Sequence, residues 1–494
     1  MTVSQRLTSL LGVLMAALLV GCQSSDGGTA LSSIESGRLP LDRPNVVVFF
    51  LDDSGYGDFS HNGNPTIATP TIARMAQEGA NFTQFYVTSP ACTASRYSLL
   101  TGRLPARSGL GTWVVSPKSR RFLHPKEDTI AELLKERGYA TGIFGKWHLG
   151  NPNQNNDFDP ESWPLAHGFD EWLGTNVSHD YANAMLLKSD KESLAPIPGY
   201  KVLGERLRSN KPVTESLTGR YTKATIQFIQ ANQERPFFAY VAHNQPHLGL
   251  ACSEAFRGIS RRGLLGDVMA EVDDSVGQVL QTLRDCGIEK NTLVIFASDN
   301  GPWIRFQETK DHPAYGEARL NIGYALPFRD GKGSTWEGGH RVPGIFYWPG
   351  IIDPQSIQDP ASTLDVLPTV LALAGGPRQG LGSLDGRDIR PILGDHWRQD
   401  RPVTPFEMIF SSADNGASAY RLGPWKLHIR LHSQTGSNYG FEASREQPLL
   451  FQVEHDLGER FDRAAEQPQK VLELSKRLGA IEEAIKKEGT YWDD

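Results

Sequence analysis

Eight polar side chains in this 494-residue chain stand directly after short apolar runs, where they could do chemistry together. Asp52 and Asp53 follow Val46 to Leu51, Lys146 and His148 follow Ala140 to Phe144, His243 and His247 follow Phe237 to Ala242, and Asp299 and Asn300 follow Leu293 to Ala297. Three carboxylates and an amide on one rim would repel one another unless a hard cation joined them, and an oxygen-rich set favours calcium or magnesium over zinc. The histidines and the lysine add groups that can move a proton or meet developing negative charge. A single aspartate in such a place is more simply a helix cap or a turn former. Two adjacent aspartates answered by Asp299-Asn300-Gly301 carry the metal reading.

The elements that must deliver these groups follow from the apolar pattern. Val46 to Leu51 is an unbroken apolar run of the kind that forms a strand buried on both faces. Further strands are expected at Ala140 to Phe144, Phe237 to Ala242 and Leu293 to Ala297. Helices alternate with them: Thr69-Pro70 reads as an N-cap with proline at the first helical position, and Glu127 to Arg137 ends at Gly138. Val268, Val272, Val276, Val279 and Leu283 form a one-sided helical stripe. This alternation predicts an α/β fold with a large, mostly parallel sheet between helices. Ligands then bind beyond the carboxyl ends of the strands, where the polar residues lie. From about Gly394 to Pro405 the chain turns polar, and short strands follow (Trp425 to Leu431, Leu449 to Val453), then a helix from about Pro468 to Lys487. We expect a catalytic domain over 43–395 and a smaller C-terminal α+β subdomain over 396–494.

Composition narrows the classes. With 39% hydrophobic and 22% charged residues the chain is that of a globular protein, not a disordered or collagenous one. A formal charge of -7 without a basic block argues against nucleic acid as a partner. The four cysteines, Cys22, Cys92, Cys252 and Cys286, are too scattered for a disulfide framework or a thiolate zinc site.

One segment is more specific than any of these patterns. Ser89-Pro90-Ala91-Cys92-Thr93-Ala94-Ser95-Arg96, continued by Leu100-Thr101-Gly102-Arg103, resembles the signature of the type I sulfatases. In that family the cysteine is oxidised to formylglycine, whose aldehyde hydrates to a geminal diol. One hydroxyl attacks sulfur and the other expels the resulting sulfate ester, a second half-reaction that a serine lacks. The other reading of Cys92 is a buried structural thiol. The resemblance spans roughly residues 43 to 463 and takes in Leu51-Asp52-Asp53, Gly145-Lys146-Trp147-His148, Ala242-His243 to His247, Ser298-Asp299-Asn300-Gly301 and Gly331-Lys332-Gly333, with a tail similar to the arylsulfatase A branch. It implies an alkaline phosphatase-like fold and a sulfuric ester hydrolase.

The same resemblance implies roles. Asp52, Asp53, Asp299, Asn300 and the modified Cys92 would hold Ca²⁺. Arg96 would fix the diol, and Lys146 and Lys332 would meet charge on the sulfuryl and leaving oxygens. His247 would protonate the leaving alcohol and His148 would take a proton from the diol, with His243 supporting from behind. Ser178 would hydrogen-bond the sulfate, or simply form a turn. Gly249 stands where many relatives have proline, and Trp303 to Phe328 reads as an insertion. Within or beside it, Arg305, Lys310, His312 and Arg329 could meet further acidic groups of a substrate, or form an ordinary charged surface loop.

At the N-terminus, Arg6 precedes an apolar run from Leu10 to Gly21, which is too short to span a bilayer and reads as an export signal over 1–21. Leu19-Val20-Gly21-Cys22 resembles a bacterial lipobox, so Cys22 is expected to carry lipid, with 22–42 as a tether at the cell envelope. Incidental placement of Cys22 beside an ordinary cleavage site is the alternative. The expected partners are a sulfated glycan or aryl sulfate, a formylglycine-generating maturation enzyme, and a membrane reached only through the anchor. Two other functions remain open on sequence: a phosphonate or phosphate ester hydrolase of the same superfamily, and an inactive glycan-binding surface lipoprotein.

Overall fold

The computed structural model describes residues 43–111, 113–116, 119–150, 159–190, 199–304, 322–376, 381–397, 406–411, 416–433 and 435–493. Its central strand, β1 (Asn45–Leu51), shows why an unbroken apolar run was needed. Val46, Val48 and Phe50 enter the core on one face of the sheet, and Val47, Phe49 and Leu51 enter a second core on the other. Each fully buried side chain contributes about 1.5–3 kcal/mol of apolar transfer energy, so either face alone would specify this strand.

Ten further strands complete the sheet: β2 (Ala80–Tyr86), β3 (Ala140–Gly145), β4 (Glu171–Thr175), β5 (Leu186–Ser189), β6 (Tyr200–Gly204), β7 (Phe237–Ala242), β8 (Thr292–Ser298), β9 (Arg341–Tyr347), β10 (Gln355–Ile357) and β11 (Ala361–Ser362). They run in the order β10-β2-β9-β8-β1-β7-β3-β4-β5-β6, with β11 also on β2. The segment from β8 to β4 is parallel, whereas β9, β5 and β6 join antiparallel. The sheet is therefore mixed, with the expected parallel strands at its centre. Register brings their carboxyl ends level: Leu51 pairs with Ser298, and Gly145 with Ala242.

The helix Leu264–Asp285 buries Val268, Val272, Val276, Val279 and Leu283 in the second core, as the stripe predicts. Its Asp273 also does a job expected of Thr69. The Asp273 carboxylate accepts from Thr71 N at 3.0 Å and Ile72 N at 2.8 Å, capping the helix Pro70–Glu78. Thr69 occupies the N-cap position, but its hydroxyl is engaged by Ser60. The helix expected over 127–137 is shorter, Ile130–Lys135, because Thr129 and Glu132 form a capping box. Glu127 is drawn away to Tyr97 and Arg103.

A second, four-stranded antiparallel sheet follows: β12 (Glu407–Ser411), β13 (Ala417–Leu422), β14 (Trp425–His428) and β15 (Leu449–Gln452). The helix Pro468–Glu488 packs on it through Leu474 and Leu478. The described residues cluster as one compact unit. Among the described residues no helix is long and apolar enough to cross a membrane. The expected export signal over 1–21, the tether over 22–42 and Cys22 lie outside the described residues.

Candidate active site

The level ends of β1, β3, β7 and β8 set the geometry. Asp299 N donates to Leu51 O at 3.0 Å, Lys146 N to Ala242 O at 2.8 Å, and Asp53 N to the Asp299 carboxylate at 3.1 Å. The ladders thus run straight into the polar cluster. Asp53 and His148 turn out of the strand direction at φ 65° and 56°, the left-handed region that costs a side-chain-bearing residue energy and marks a functional bend.

Cys92 enters from the helix Cys92–Thr101, all of whose residues are buried. A buried helix with so many polar residues needs partners, and it has them. Thr93 donates to His148 O at 2.8 Å, Ser98 meets Thr88 at 2.7 Å, and Tyr97 donates to Glu127 at 2.8 Å. Gly102, at φ 66°, ends the helix in the left-handed cap that glycine adopts without cost. Cys92 stands at the first helical position, where the helix dipole and free N–H groups favour an anion. Its Sγ lies 3.3 Å from Asp52 Oδ1 and 3.5 Å from Lys332 Nζ.

Three buried carboxylates meet three buried cations around this atom. Lys146 Nζ is 2.6 Å from Asp52 Oδ2, Lys332 Nζ is 2.7 and 2.9 Å from the two Asp53 oxygens, and Arg96 Nη2 is 2.7 Å from Asp299 Oδ2 and 3.6 Å from Asp52 Oδ1. The charges are unevenly satisfied. Burial would raise Asp52, but Lys146, His247, Arg96 and Lys332 hold its carboxyl well below the usual range. Burial pushes Asp53 up against the pull of Lys332. It also pushes Asp299, with Asp52 beside it, up to about 7. Burial and the Asp299 and Asp52 charges drive the Cys92 thiol far up, so this pocket holds a thiol neutral rather than making it a thiolate nucleophile.

The same residues fit a hard cation. One ligand atom each from Asp52, Asp53, Cys92 and His247 falls within a 4.8 Å cluster. Asn300 donates through Nδ2 to Asp53 Oδ1 at 2.8 Å, while its own Oδ1 is buried with no donor. Carboxylate oxygens beside an orphaned amide oxygen are the donor set of an oxygen-preferring ion. Asp299 is not among those four residues; its Oδ2 is held by Arg96 at 2.7 Å.

The histidines differ in kind. His148 Nε2 lies 3.1 Å from Val115 O; since a carbonyl only accepts, Nε2 carries the proton and Nδ1 is a buried bare acceptor. Burial and Lys146 keep that ring neutral. His247 donates from Nδ1 to Leu248 O, which leaves Nε2 facing Asp53 Oδ2 at 3.5 Å. Burial and Lys332 lower His247 to about 3. His243 is away from the centre, 3.1 Å from Ser275 Oγ and stacked on Phe49.

Comparison with known proteins decides what this constellation belongs to. A family profile described as Sulfatase matches residues 44–376. The chain is 36% identical to arylsulfatase A of Bos taurus over 457 residues, covering 88% of this chain and 86% of the relative. It is likewise 36% identical to N-acetylgalactosamine-6-sulfatase of Mus musculus over 455 residues, covering 85% and 81%. The crystal structure of the PsFucS1 sulfatase from Pseudoalteromonas sp. superimposes with a TM-score of 0.75 at 26% identity, covering 90% of this chain and 91% of that one. The chain belongs to the sulfatase family. It is a sulfuric ester hydrolase of the arylsulfatase A-like branch, with the alkaline phosphatase-like fold.

Ser178, in the loop after β4, opens a turn in which its carbonyl accepts from Tyr181 N at 3.1 Å, as the turn-forming alternative expects, and its buried hydroxyl has no partner among the described residues. Arg329 is placed otherwise than a sulfate contact requires. Its guanidinium lies over Trp336, Tyr439 and Phe441 at 4.5, 4.9 and 5.1 Å from the ring centres, so it ties the lysine-bearing segment to the C-terminal subdomain by cation–π contact. Arg305, Lys310 and His312 lie outside the described residues. Two groups escaped the sequence reading. Trp303 lies under Lys332 at 4.5 Å and beside His247 at 5.2 Å, and its signal was an aromatic just after Asp299-Asn300-Gly301. Asp180, 4.0 Å from His247 Nδ1, stood in plain view beside Ser178.

Proposed function

We propose that the sulfatase turns over through a formylglycine made from Cys92 by a maturation enzyme, with Ca²⁺ held by Asp52, Asp53, Asp299, Asn300 and the modified Cys92, and that its natural substrate is a sulfated carbohydrate. The observation that carries this reading is the convergence on Cys92 Sγ, at a buried helix N-terminus, of Asp52 and Lys332 within 3.5 Å. The modified residue would supply two hydroxyls on one carbon, and the calcium ion a Lewis acid for a sulfate oxygen. The chain's own groups do the rest. Lys146 and Lys332 meet charge on the sulfuryl and leaving oxygens, and Arg96, locked to Asp299, orients the attacking group. His148 accepts the proton at its bare Nδ1. His247 must be protonated at Nε2 to serve the leaving oxygen, and an arriving sulfate opposes the burial and the Lys332 charge that keep it neutral. The likeness to an N-acetylgalactosamine-6-sulfatase supports a carbohydrate ester, with aryl sulfates as surrogates.

The export signal and Cys22 support a mature chain lipid-anchored at a bacterial envelope, with no other membrane contact; Cys22→Ser should release the enzyme from membranes into the soluble fraction. Chelation should abolish sulfate release from an aryl sulfate, and Ca²⁺ should restore it. Mass spectrometry of the Cys92 peptide should show the aldehyde. Faster hydrolysis of a phosphodiester than of every sulfate ester tried would overturn the assignment.

A further inference from the structure

After the helix Pro468–Glu488 the chain folds back into a fixed turn. The Asp493 carboxylate accepts from Thr490 N and from Thr490 Oγ1, both at 2.9 Å, and Asp493 N donates to Thr490 O at 3.0 Å. This turn presents Trp492 to a loop that runs on from the Cys92 helix. The Phe122 and His124 rings meet the indole edge-on, at 5.2 and 4.8 Å between ring centres, a favoured aromatic geometry. Gly109 comes so close that a Cβ on it would stand 2.7 Å from Trp492 Cδ1 and 2.9 Å from Thr490 Oγ1. Arg121 joins these ends, donating to Gly109 O at 3.2 Å and lying 6.0 Å from the indole centre. Trp492 thus pinches the loop at its neck, between Gly109 and Phe122-Leu123-His124.

The loop carries what holds His148. Leu123 is buried in the first core, and its N–H donates to Leu149 O at 2.8 Å. Val115 O takes the proton of His148 Nε2 at 3.1 Å, Val115 N donates to Thr93 Oγ1 at 2.9 Å, and Thr93 Oγ1 donates to His148 O at 2.8 Å. Three bonds therefore close a ring through His148, Val115 and the residue after Cys92. His148 depends on that ring. Its backbone sits in the costly left-handed region at φ 56°, and only a fixed Val115 carbonyl keeps the proton on Nε2 and Nδ1 bare.

We propose that Trp492 is a positioning residue for His148: by pinning the neck of the loop it fixes the Val115 carbonyl, and with it the tautomer and direction of the imidazole. This rests on the reading of His148 as the group that takes a proton in the release of sulfate, and the test keeps the two apart.

The two halves of the reaction give the signature. Mispositioning His148 alone leaves the first release of alcohol intact and slows the release of sulfate. In the full-length enzyme acting on an aryl sulfate, Trp492→Ala should lower kcat by about ten- to a hundredfold, the scale of a small misplacement at a reacting centre. KM should fall with it, so that kcat/KM is nearly kept. The first phenol should appear as a burst, with one sulfate retained per chain on intact-mass analysis, and the Val115 and Leu123 amides should exchange faster. Trp492→Phe, which keeps a ring against Phe122 and His124, should restore most of the rate. Asp493→Ala, an exposed change that only opens the turn, should show the same signature more weakly and serves as the test should Trp492→Ala not fold. An unchanged kcat in both alanine variants overturns the inference. So does a loss of kcat and kcat/KM together with no sulfate retained, because the turn then adds only to stability. His148→Ala decides the reading beneath: retained sulfate supports it, and turnover at the unsubstituted rate would overturn that reading and this inference together.

Discussion

At the scale of single residues, the proposed chemistry turns on Cys92. Its pocket keeps a thiol protonated, so unmodified protein should be inert. Cys92→Ser separates the two halves of the reaction: one introduced hydroxyl can attack sulfur but cannot expel what it forms. The expected result is a loss of turnover of at least about a thousandfold, with one sulfate retained per chain on intact-mass analysis. Cys92→Ala should be equally inactive and retain none. Turnover by either variant above background would remove Cys92 from the nucleophile's place. The placement of Asp52, Asp53, Lys146, His148 and Asn300 was legible at this scale because each follows a strand and needs only its direction. Trp303, Asp180 and the aromatic box around Arg329 were not, because side-chain neighbours drawn from different elements leave no local pattern.

At the scale of elements, sequence read best where burial on both faces forces a continuous apolar run, as in β1, β7 and β8. The short strands β4, β5 and β6 were missed because half-buried four- and five-residue segments such as Leu186–Ser189 carry little periodicity. What sequence could not show was how the second sheet grips the segment bearing Lys332. Glu337, five residues on from that lysine, is 3.0 Å from Lys426 on β14. Lys426 is also 3.2 Å from Glu459, whose other oxygen accepts from Glu337 N at 2.7 Å. His432 and Thr335 exchange backbone and hydroxyl contacts nearby. Breaking a fully buried ion pair by removing one partner costs about 3–5 kcal/mol, because the other charge remains. Glu337→Gln should therefore lower the thermal midpoint by several degrees. It should also reduce kcat on an aryl sulfate more than it raises KM, since the displaced group is Lys332. A stability loss without any change in kcat would show that the clamp holds the fold but not the lysine.

At the scale of the whole molecule, this cluster is a buried electrostatic link between the two sheets, and its protonation makes their union depend on pH. Burial alone would raise both carboxyls. Lys426, Arg341 and Arg421 instead bring Glu337 down to about 2, and Lys426 and His428 hold Glu459 below its usual value. A carboxyl depressed in the folded state binds its proton more readily once unfolded, near 4.3. Its contribution is therefore complete above that value and is lost as pH falls toward 2. Near neutrality the central and C-terminal sheets should unfold in one calorimetric transition. Between about pH 4.5 and 2 the C-terminal sheet should separate first, seen as a second, lower transition and as early amide exchange across Trp425–His428 and Leu449–Gln452. Glu337→Gln with Glu459→Gln should flatten that acid dependence, because neither side chain then titrates. If the double variant kept the full acid-induced splitting, the pH sensitivity would belong to carboxylates elsewhere, and the link between the sheets would rest on their apolar contact alone.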